Sequence, residues 1–154
     1  MRLLVIVVGR PRDAALAAAA QEYERRATHY WPMSVIEVKE ESAKNRAPDF
    51  VREREGERIL AQVPPGATFA VCAEGGRNMS SAAFSTWLQA ARDEARDVAI
   101  AIGGAFGLSD AVTKSAALRL SLAPWTLPHE LARVVLAEQV YRAGTIVRGE
   151  PYHK

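Results

Sequence analysis

The segment at residues 98–110, VAIAIGGAFGLSD, contains the features that decide the fold of this 154-residue chain. Five apolar residues lead directly into Gly103 and Gly104, and Ser109 then stands where its hydroxyl can cap a helix. A short buried strand that passes through a glycine turn into a helix is typical of an α/β protein. Glycine at such a turn indicates either a tight connection or a close approach of the backbone to a flat ligand, such as an adenine ring.

The same alternation of strand and helix patterns runs through the whole chain. We predict strands at residues 3–8, 33–38, 68–73, 98–102 and 118–123. We predict helices that follow Asp13, Asp49, Ser80 or Ser81, and Ser109, and a last helix over residues 130–145. This order predicts a single α/β domain over residues 1–154, with a mostly parallel sheet and helices on both faces.

Composition and charge exclude several other classes of protein. The apolar and charged fractions, 49% and 25%, are ordinary for a globular protein, and the net charge of +2 does not by itself indicate nucleic acid. The single cysteine, Cys72, excludes an internal disulfide, and within an apolar strand we expect it to be unreactive. Gly9 and Pro11 interrupt the apolar start, which indicates a strand rather than a signal peptide. We therefore expect a cytoplasmic protein without membrane spans, and we assign no metal ligands.

Three connecting segments are expected to meet at one edge of the sheet. They are residues 74–78, 103–109 and 124–129, and parallel sheets bind ligands outside the carboxyl ends of their strands. The glycines lack the G-x-G-x-x-G spacing and the lysine of a phosphate-binding loop. Pro124 and Pro128 enclose a segment whose free main-chain groups can recognise a base edge, or else these prolines only steer the chain into the last helix.

The last helix and the tail that follows it are each open to two interpretations. Apolar residues cover more than one side of the helix, which indicates either a subunit interface or burial within the core. The tail contains Arg148, Tyr152, His153 and Lys154, residue types that contact phosphates and stack on exposed bases. A charged chain end is also typical of a frayed, solvated tail.

Motifs along the whole chain carry a resemblance to a known family. They are EY-x-RR in the first helix, IGG-x-x-GL at residues 102–108, TLPH-x-x-x-RV at 126–134, EQ-x-YRA at 138–143 and the terminal RGEPYHK. With these motifs the chain resembles the SPOUT-class methyltransferases that modify N3 of a pseudouridine in 23S ribosomal RNA. The last three motifs, in this order, are the most specific part of the resemblance.

The resemblance implies a cofactor, a fold detail and an assembly. The cofactor is S-adenosylmethionine, held by three loops. Carried over by motif, its contacts are Cys72, Ala73, Gly103, Gly104, Leu122, Ala123, Pro124, Trp125, Thr126 and Leu127. The family also implies a C-terminal trefoil knot and a homodimer that packs through the last helix. The tail of one subunit is then expected to reach the cofactor site of its partner.

The resemblance further implies roles for the polar residues near the C-terminus. The imide N3–H of a pseudouridine must lose its proton, and Arg142 is the expected cation beside the developing anion. His153 and His129 are the expected proton acceptors, since imidazole titrates near ~6.5, although His129 can equally be structural. Tyr152 is expected to stack on the target base. Arg148 and Lys154 are expected to contact phosphates of the ribosomal RNA.

Two other functions remain open at this stage, and three positions depart from the family pattern. A non-catalytic nucleotide- or RNA-binding module of Rossmann-like shape is the main alternative. A dinucleotide oxidoreductase is disfavoured because its glycine motif is absent. The departures are the Cys72-Ala73 pair, Phe106 in the glycine loop, and Gly144, which we expect to loosen the end of the last helix.

Overall fold

The computed structural model describes residues 1–153, with side chains described through Tyr152. Lys154 and the side chain of His153, both given roles above, lie outside the described residues. Five strands alternate with five helices, and a short 3-10 turn at Pro151–His153 closes the described chain. The strands are β1 Leu3–Val8, β2 Met33–Val38, β3 Thr68–Asn78, β4 Val98–Ile102 and β5 Leu118–Ser121. The helices are α1 Ala14–Ala27, α2 Pro48–Leu60, α3 Ser81–Asp93, α4 Asp110–Ser115 and α5 His129–Val147.

The strands form one parallel sheet in the order β2-β1-β4-β3-β5. The segment that opened the sequence analysis supplies β4, the central strand, whose five residues are all buried. All five strands end at the same edge, because every pairing is parallel. The predicted α/β fold with a parallel sheet is therefore confirmed.

Helices cover both faces of the sheet, as predicted. Side chains alternate along a strand, so neighbouring residues of β1 face opposite sides. Val5 lies in a core that includes residues of α1, α3 and α5. Ile6 lies in a second core, with residues of α2 and α4. Burial on both faces explains why β1 is apolar throughout instead of alternating with polar residues.

Local signals placed most helix starts correctly and one incorrectly. Asp13, Ser80 and Ser109 each accept a hydrogen bond from an amide in the first turn of a helix. Asp49 was expected to cap α2. The helix begins at Pro48, one residue before Asp49, so Asp49 lies within the first turn. Proline suits a first helical position because its missing amide hydrogen has no partner there.

Strand β3 is longer than predicted and has an irregular end. Its pairing with β5 changes register between Cys72 and Arg77, and Gly75 within this break has a φ of +68°. The predicted exit loop at residues 74–78 therefore belongs to the strand. The break carries Ala73 and Glu74 outward at the carboxyl edge of the sheet, where they border the cavity described below.

Gly144 does not loosen α5, contrary to the expectation, because the helix continues to Val147. Gly144 is buried, and a Cβ added to it would overlap Cγ and Cβ of Tyr30. The Tyr30 hydroxyl donates to Glu150 Oε2 at 2.5 Å, so the ring fills the space above Gly144 and also ties down the tail. This glycine therefore permits a close approach between α5 and the segment after α1.

We expect Gly144→Ala to lower the free energy of unfolding by about 1–3 kcal/mol, the usual cost of overpacking. The added methyl must displace the root of the Tyr30 ring, and this cost exceeds the helix propensity that alanine gains. Urea unfolding of the variant measures the loss. The same substitution in a Tyr30→Ala background is the control, because the clash is then absent. An equal loss in both backgrounds would contradict the assignment.

Candidate active site

A cavity of about 950 Å³ opens at the carboxyl edge of the sheet, where β3, β4 and β5 end. Its size is that of a pocket for a small molecule or cofactor. The cavity is bordered by every residue carried over as a cofactor contact except Pro124. Those residues come from three loops that are far apart in the chain. The structure thus brings together the three segments that the sequence analysis singled out.

The two glycines that follow β4 make a tight turn against other parts of the same chain. The Gly107 amide donates to the Gly104 carbonyl at 3.0 Å, and Gly107 has a φ of +81°. A Cβ on Gly103 would lie 2.7 Å from the carbonyl carbon of Gly107. A Cβ on Gly104 would lie 2.7 Å from Glu55 Oε2 and 3.0 Å from Val8 Cγ1. The missing side chains therefore make room for protein atoms, as in a tight connection, and the contact of this backbone with a cofactor stays a prediction.

The segment between β5 and α5 forms a second wall of the cavity. Strand β5 ends at Ser121, earlier than predicted, and the Ser121 hydroxyl donates to the Ala123 carbonyl at 2.7 Å. Leu127 packs against the core, whereas Trp125 is 79% exposed. Within the described part of the chain, the amides of residues 125–127 have no hydrogen-bond partner. These main-chain donors are available to a ligand in the cavity.

Cys72 borders the cavity from the end of the regular part of β3. Burial raises the pKa of its thiol to about 12, because the thiolate would be poorly solvated there. The thiol is therefore neutral at physiological pH and offers a small, weakly polar contact surface. A nucleophilic role would require the opposite shift of the pKa.

His129 begins α5 and lies between the cavity and a neighbouring cleft. Its neighbour Glu130 accepts hydrogen bonds from the amides of Arg12 and Asp13, at 2.8 and 3.1 Å. These backbone hydrogen bonds lower the pKa of Glu130, so its carboxylate stays charged. The start of α5 is thereby fixed to the loop after β1, and His129 is the only predicted proton acceptor whose described side chain borders the cavity.

Arg142 and Tyr152 form a separate cluster on α5 and the tail. Arg142 donates to Glu138 Oε1 through Nε and Nη2, at 2.9 and 2.6 Å, and its guanidinium lies 4.9 Å from the centre of the Tyr152 ring. The Tyr152 hydroxyl donates to the same Glu138 oxygen at 3.1 Å. Arg142 is on the order of 20 Å along the helix axis from His129, at about 1.5 Å per residue. One chain by itself therefore does not bring Arg142 to its own cavity.

The tail packs against α5 and the segment after α1, and it is not frayed over the described residues. Arg148 donates to the His29 carbonyl at 3.2 Å and lies over the Tyr30 ring. The hydrogen bond to Glu150 raises the pKa of Tyr30 to about 12, because the carboxylate favours the neutral phenol. Arg148 and Tyr152 thus have partners within their own chain, and their predicted contacts with RNA stay predictions.

Sequence reasoning missed Glu55, a buried acid that lies directly behind the glycine turn. Glu55 is 4% exposed and borders a cleft of about 1120 Å³ on the other side of that turn. Its Oε1 accepts from the Glu41 amide at 3.0 Å, while Oε2 has no partner among the described residues. Burial raises the pKa of Glu55. No local signal marks this residue, because α2 is charged along most of its length.

We expect Glu55→Gln to stabilise the protein by about 1 kcal/mol at pH 8, the order of the cost of a buried unpaired polar group. The raised pKa means that the folded state binds more protons than the unfolded state. The stability of the wild-type protein therefore falls as the pH rises above the pKa that Glu55 has in the unfolded chain. Glutamine does not titrate, so the variant lacks this loss. Thermal unfolding at pH 5 and pH 8 measures the effect, which should be larger at pH 8. Glu57→Gln, an exposed position on the same helix, is the control, and an equal gain at both pH values would contradict the account.

The described residues contain neither a metal-binding cluster nor a membrane-spanning helix. No group of three or more His, Cys, Asp or Glu side chains is arranged to hold a metal ion among them. No helix in that part of the chain is long and apolar enough to cross a membrane.

Comparisons with known proteins agree over the full length of the chain. A family model described as "Predicted SPOUT methyltransferase" matches residues 1–153. A protein of Gemmatimonas aurantiaca named "Ribosomal RNA large subunit methyltransferase H" is 60% identical over 154 residues, which cover 100% of both chains. Proteins of the same name from Anaeromyxobacter sp. (strain Fw109-5) and Listeria monocytogenes are 43% and 40% identical, again over 100% of both chains. The chain therefore belongs to the SPOUT methyltransferase family.

Proposed function

We propose that this protein transfers a methyl group from S-adenosylmethionine to N3 of a pseudouridine in the 23S rRNA of the cytoplasmic ribosome. One observation carries the proposal. In a chain that matches the family from end to end, the three loops expected to bind the cofactor border one cavity of cofactor size. The names of the relatives support an rRNA substrate.

The residues around the cavity fit the proposed cofactor. The amides of residues 125–127 can recognise the edge of an adenine, and Leu122, Leu127 and the neutral Cys72 thiol supply apolar contacts. The glycine turn has none of the spacing that cradles a phosphate, and S-adenosylmethionine has no phosphate. When bound, the cofactor supplies a methyl group on a sulfonium centre, which is a good leaving group.

The protein then has to position the acceptor nitrogen and remove its proton. His129 borders the cavity, and we propose that it accepts the N3 proton or holds a water that does so. Arg142 would stabilise the imide anion as it forms. His153 is the second proposed acceptor, and its side chain lies outside the described residues.

A homodimer would explain how Arg142 can act at the cavity although it lies far from the cavity of its own chain. Leu131, Val134 and Val135 lie on the face of α5 that points away from the core, and they are only half-buried in one chain. A second copy packed on this face would cover them. It would also bring its own Arg142 and Tyr152 toward the cavity. We propose this assembly, together with the trefoil knot that the family implies.

The decisive experiment follows labelled methyl groups from S-adenosylmethionine into whole ribosomes, isolated subunits and naked 23S rRNA. We expect transfer to an N3 position of pseudouridine in at least one of these substrates. Calorimetry with S-adenosylmethionine, NAD and ATP is expected to show binding of the first alone. Cofactor or RNA binding without any transfer would favour the non-catalytic module and overturn the proposal.

We expect Val135→Asp to convert a dimer into folded monomers that have lost nearly all methyl transfer. The buried charge would have no partner at the interface, whereas in the monomer it is exposed to water. Sedimentation at micromolar concentration measures the assembly, and circular dichroism checks the fold. Val140→Asp is the contrasting variant, because Val140 is 0% exposed within one chain and its replacement should unfold the protein. A fully active Val135→Asp monomer would refute the proposed dimer.

A further inference from the structure

Two of the most exposed aromatic side chains stand at the rim of the cofactor cavity. Among the described residues, three large apolar side chains are exposed: Phe106 at 39%, Trp125 at 79% and Val147 at 37%. Phe106 and Trp125 border the same cavity from different loops. Single exposed apolar residues are ordinary, but two aromatic rings around one opening suggest a binding surface.

The backbone beside both exposed rings is constrained by neighbouring residues. Phe106 lies at the third position of the turn that the Gly107 amide closes onto the Gly104 carbonyl, so it projects at the tip. Arg52 donates to the Phe106 carbonyl at 3.5 Å and supports this turn from α2. Trp125 follows Pro124, whose ring fixes its own φ, and lies three residues before Pro128, so the segment that carries Trp125 is anchored by a proline on each side. A constrained backbone beside a ring lowers the conformational freedom that is lost when the ring binds a partner.

The charges at the rim favour stacking over phosphate binding. Arg119 borders the cavity and is exposed, but Glu74 and Asp110 border it as well. Arg52 is paired with Asp49. Acidic side chains thus stand beside the arginine at the opening, and the rim is not a basic track for phosphates. Its distinguishing feature is two flat aromatic faces, which suit unpaired bases.

We propose that Phe106 and Trp125 form an aromatic rim that stacks on unpaired bases of the substrate RNA beside the acceptor nucleotide. This inference rests on the proposed function, because the acceptor must pass the rim to reach the methyl donor. The backbone of Trp125 then faces the cofactor while its ring faces the RNA. The rim selects an acceptor that lies in a single-stranded segment, since paired bases cannot present their faces.

Methylation kinetics on ribosomes test the rim. Trp125→Ala should raise the ribosome concentration for half-maximal rate about tenfold, which is within the usual contribution of one stacked base. Phe106→Ala should give a smaller rise, and Trp125→Phe should recover most of the loss. The affinity for S-adenosylmethionine, measured by calorimetry, should change less than twofold. The effect should persist at raised salt, because stacking does not depend on counterion release.

Each other outcome overturns the inference. An unchanged half-saturating concentration means that no base stacks there, and a fall in cofactor affinity alone means that the ring serves the cofactor. Dissociation of the dimer on Trp125→Ala means that a second copy covers the rim. Iodide quenching of tryptophan fluorescence decides the matter even if the wild-type protein transfers no methyl group. Trp31 is 0% exposed and Trp87 is half-buried, so a single-stranded oligoribonucleotide should protect mainly Trp125.

Discussion

Arg142→Ala is expected to lower the single-turnover rate of methyl transfer by about 10²–10³-fold at saturating ribosomes and cofactor, the usual effect of removing one charge-stabilising donor. The guanidinium is needed mainly when negative charge develops on the imide, so cofactor affinity should be retained. Glu138 and the Tyr152 ring hold Arg142 in one position, which limits the reorganisation needed during the reaction. Arg142→Lys should restore only part of the rate, because lysine cannot reproduce the two hydrogen bonds to Glu138.

Comparison of Arg142→Ala with a deletion of residues 152–154 separates the chemical step from RNA binding. Removing Tyr152 takes one partner from the Glu138–Arg142 pair, so the deletion should lower the single-turnover rate and also raise the half-saturating ribosome concentration. Arg142→Ala should affect only the rate. Rising salt should enlarge the binding defect of the deletion, because contacts with phosphates weaken as ionic strength rises. If the truncated protein keeps the full rate and the same half-saturation, the tail has no role in the reaction.

Arg133→Met is expected to lower the free energy of unfolding by about 3–5 kcal/mol, because it breaks a buried cluster of ion pairs. The Arg133 side chain is 8% exposed, and it donates to Glu24 at 2.7 and 3.2 Å and to Glu37 at 2.9 Å. Its removal leaves the Glu24 carboxylate without a cation, and it leaves Glu37 only the exposed Arg10, whose Nε lies 3.9 Å from Glu37 Oε2. This residue joins α5 to α1 and β2, so its loss should also disturb the start of α5, where His129 lies.

A matched set of variants separates lost charge balance from lost packing. Replacing Glu24 and Glu37 with glutamine in the Arg133→Met protein should recover most of the stability, because no unpaired charge then remains. The deficit of the single variant should shrink as the pH falls toward 4, since protonation neutralises the two carboxyl groups. Urea unfolding across this pH range is the measurement. A loss below 1 kcal/mol, or one that does not vary with pH, would contradict the account.

The interpretation of the glycine turn shows how far sequence reasoning can go. Two glycines after a buried strand located one wall of the cavity. The chemistry behind that wall was not predictable, because the atoms nearest to Gly104 belong to Glu55 and Val8, which are distant in the chain. The same holds for Gly144. Glycine is required there because the Tyr30 ring packs against it, and not because the helix ends nearby.

The sequence by itself determined the order of strands and helices, most of their caps, and the three segments that border the cavity. These features depend on apolar periodicity and on residues within one turn of each other, so they can be recognised locally. The tertiary structure alone decided which distant side chains meet. It buried Glu55 behind the glycine turn, joined Arg133 to Glu24 across 109 residues of chain, and packed the tail onto α5. Such contacts follow from the strand order β2-β1-β4-β3-β5, which no local pattern encodes because it results from the packing of the whole sheet.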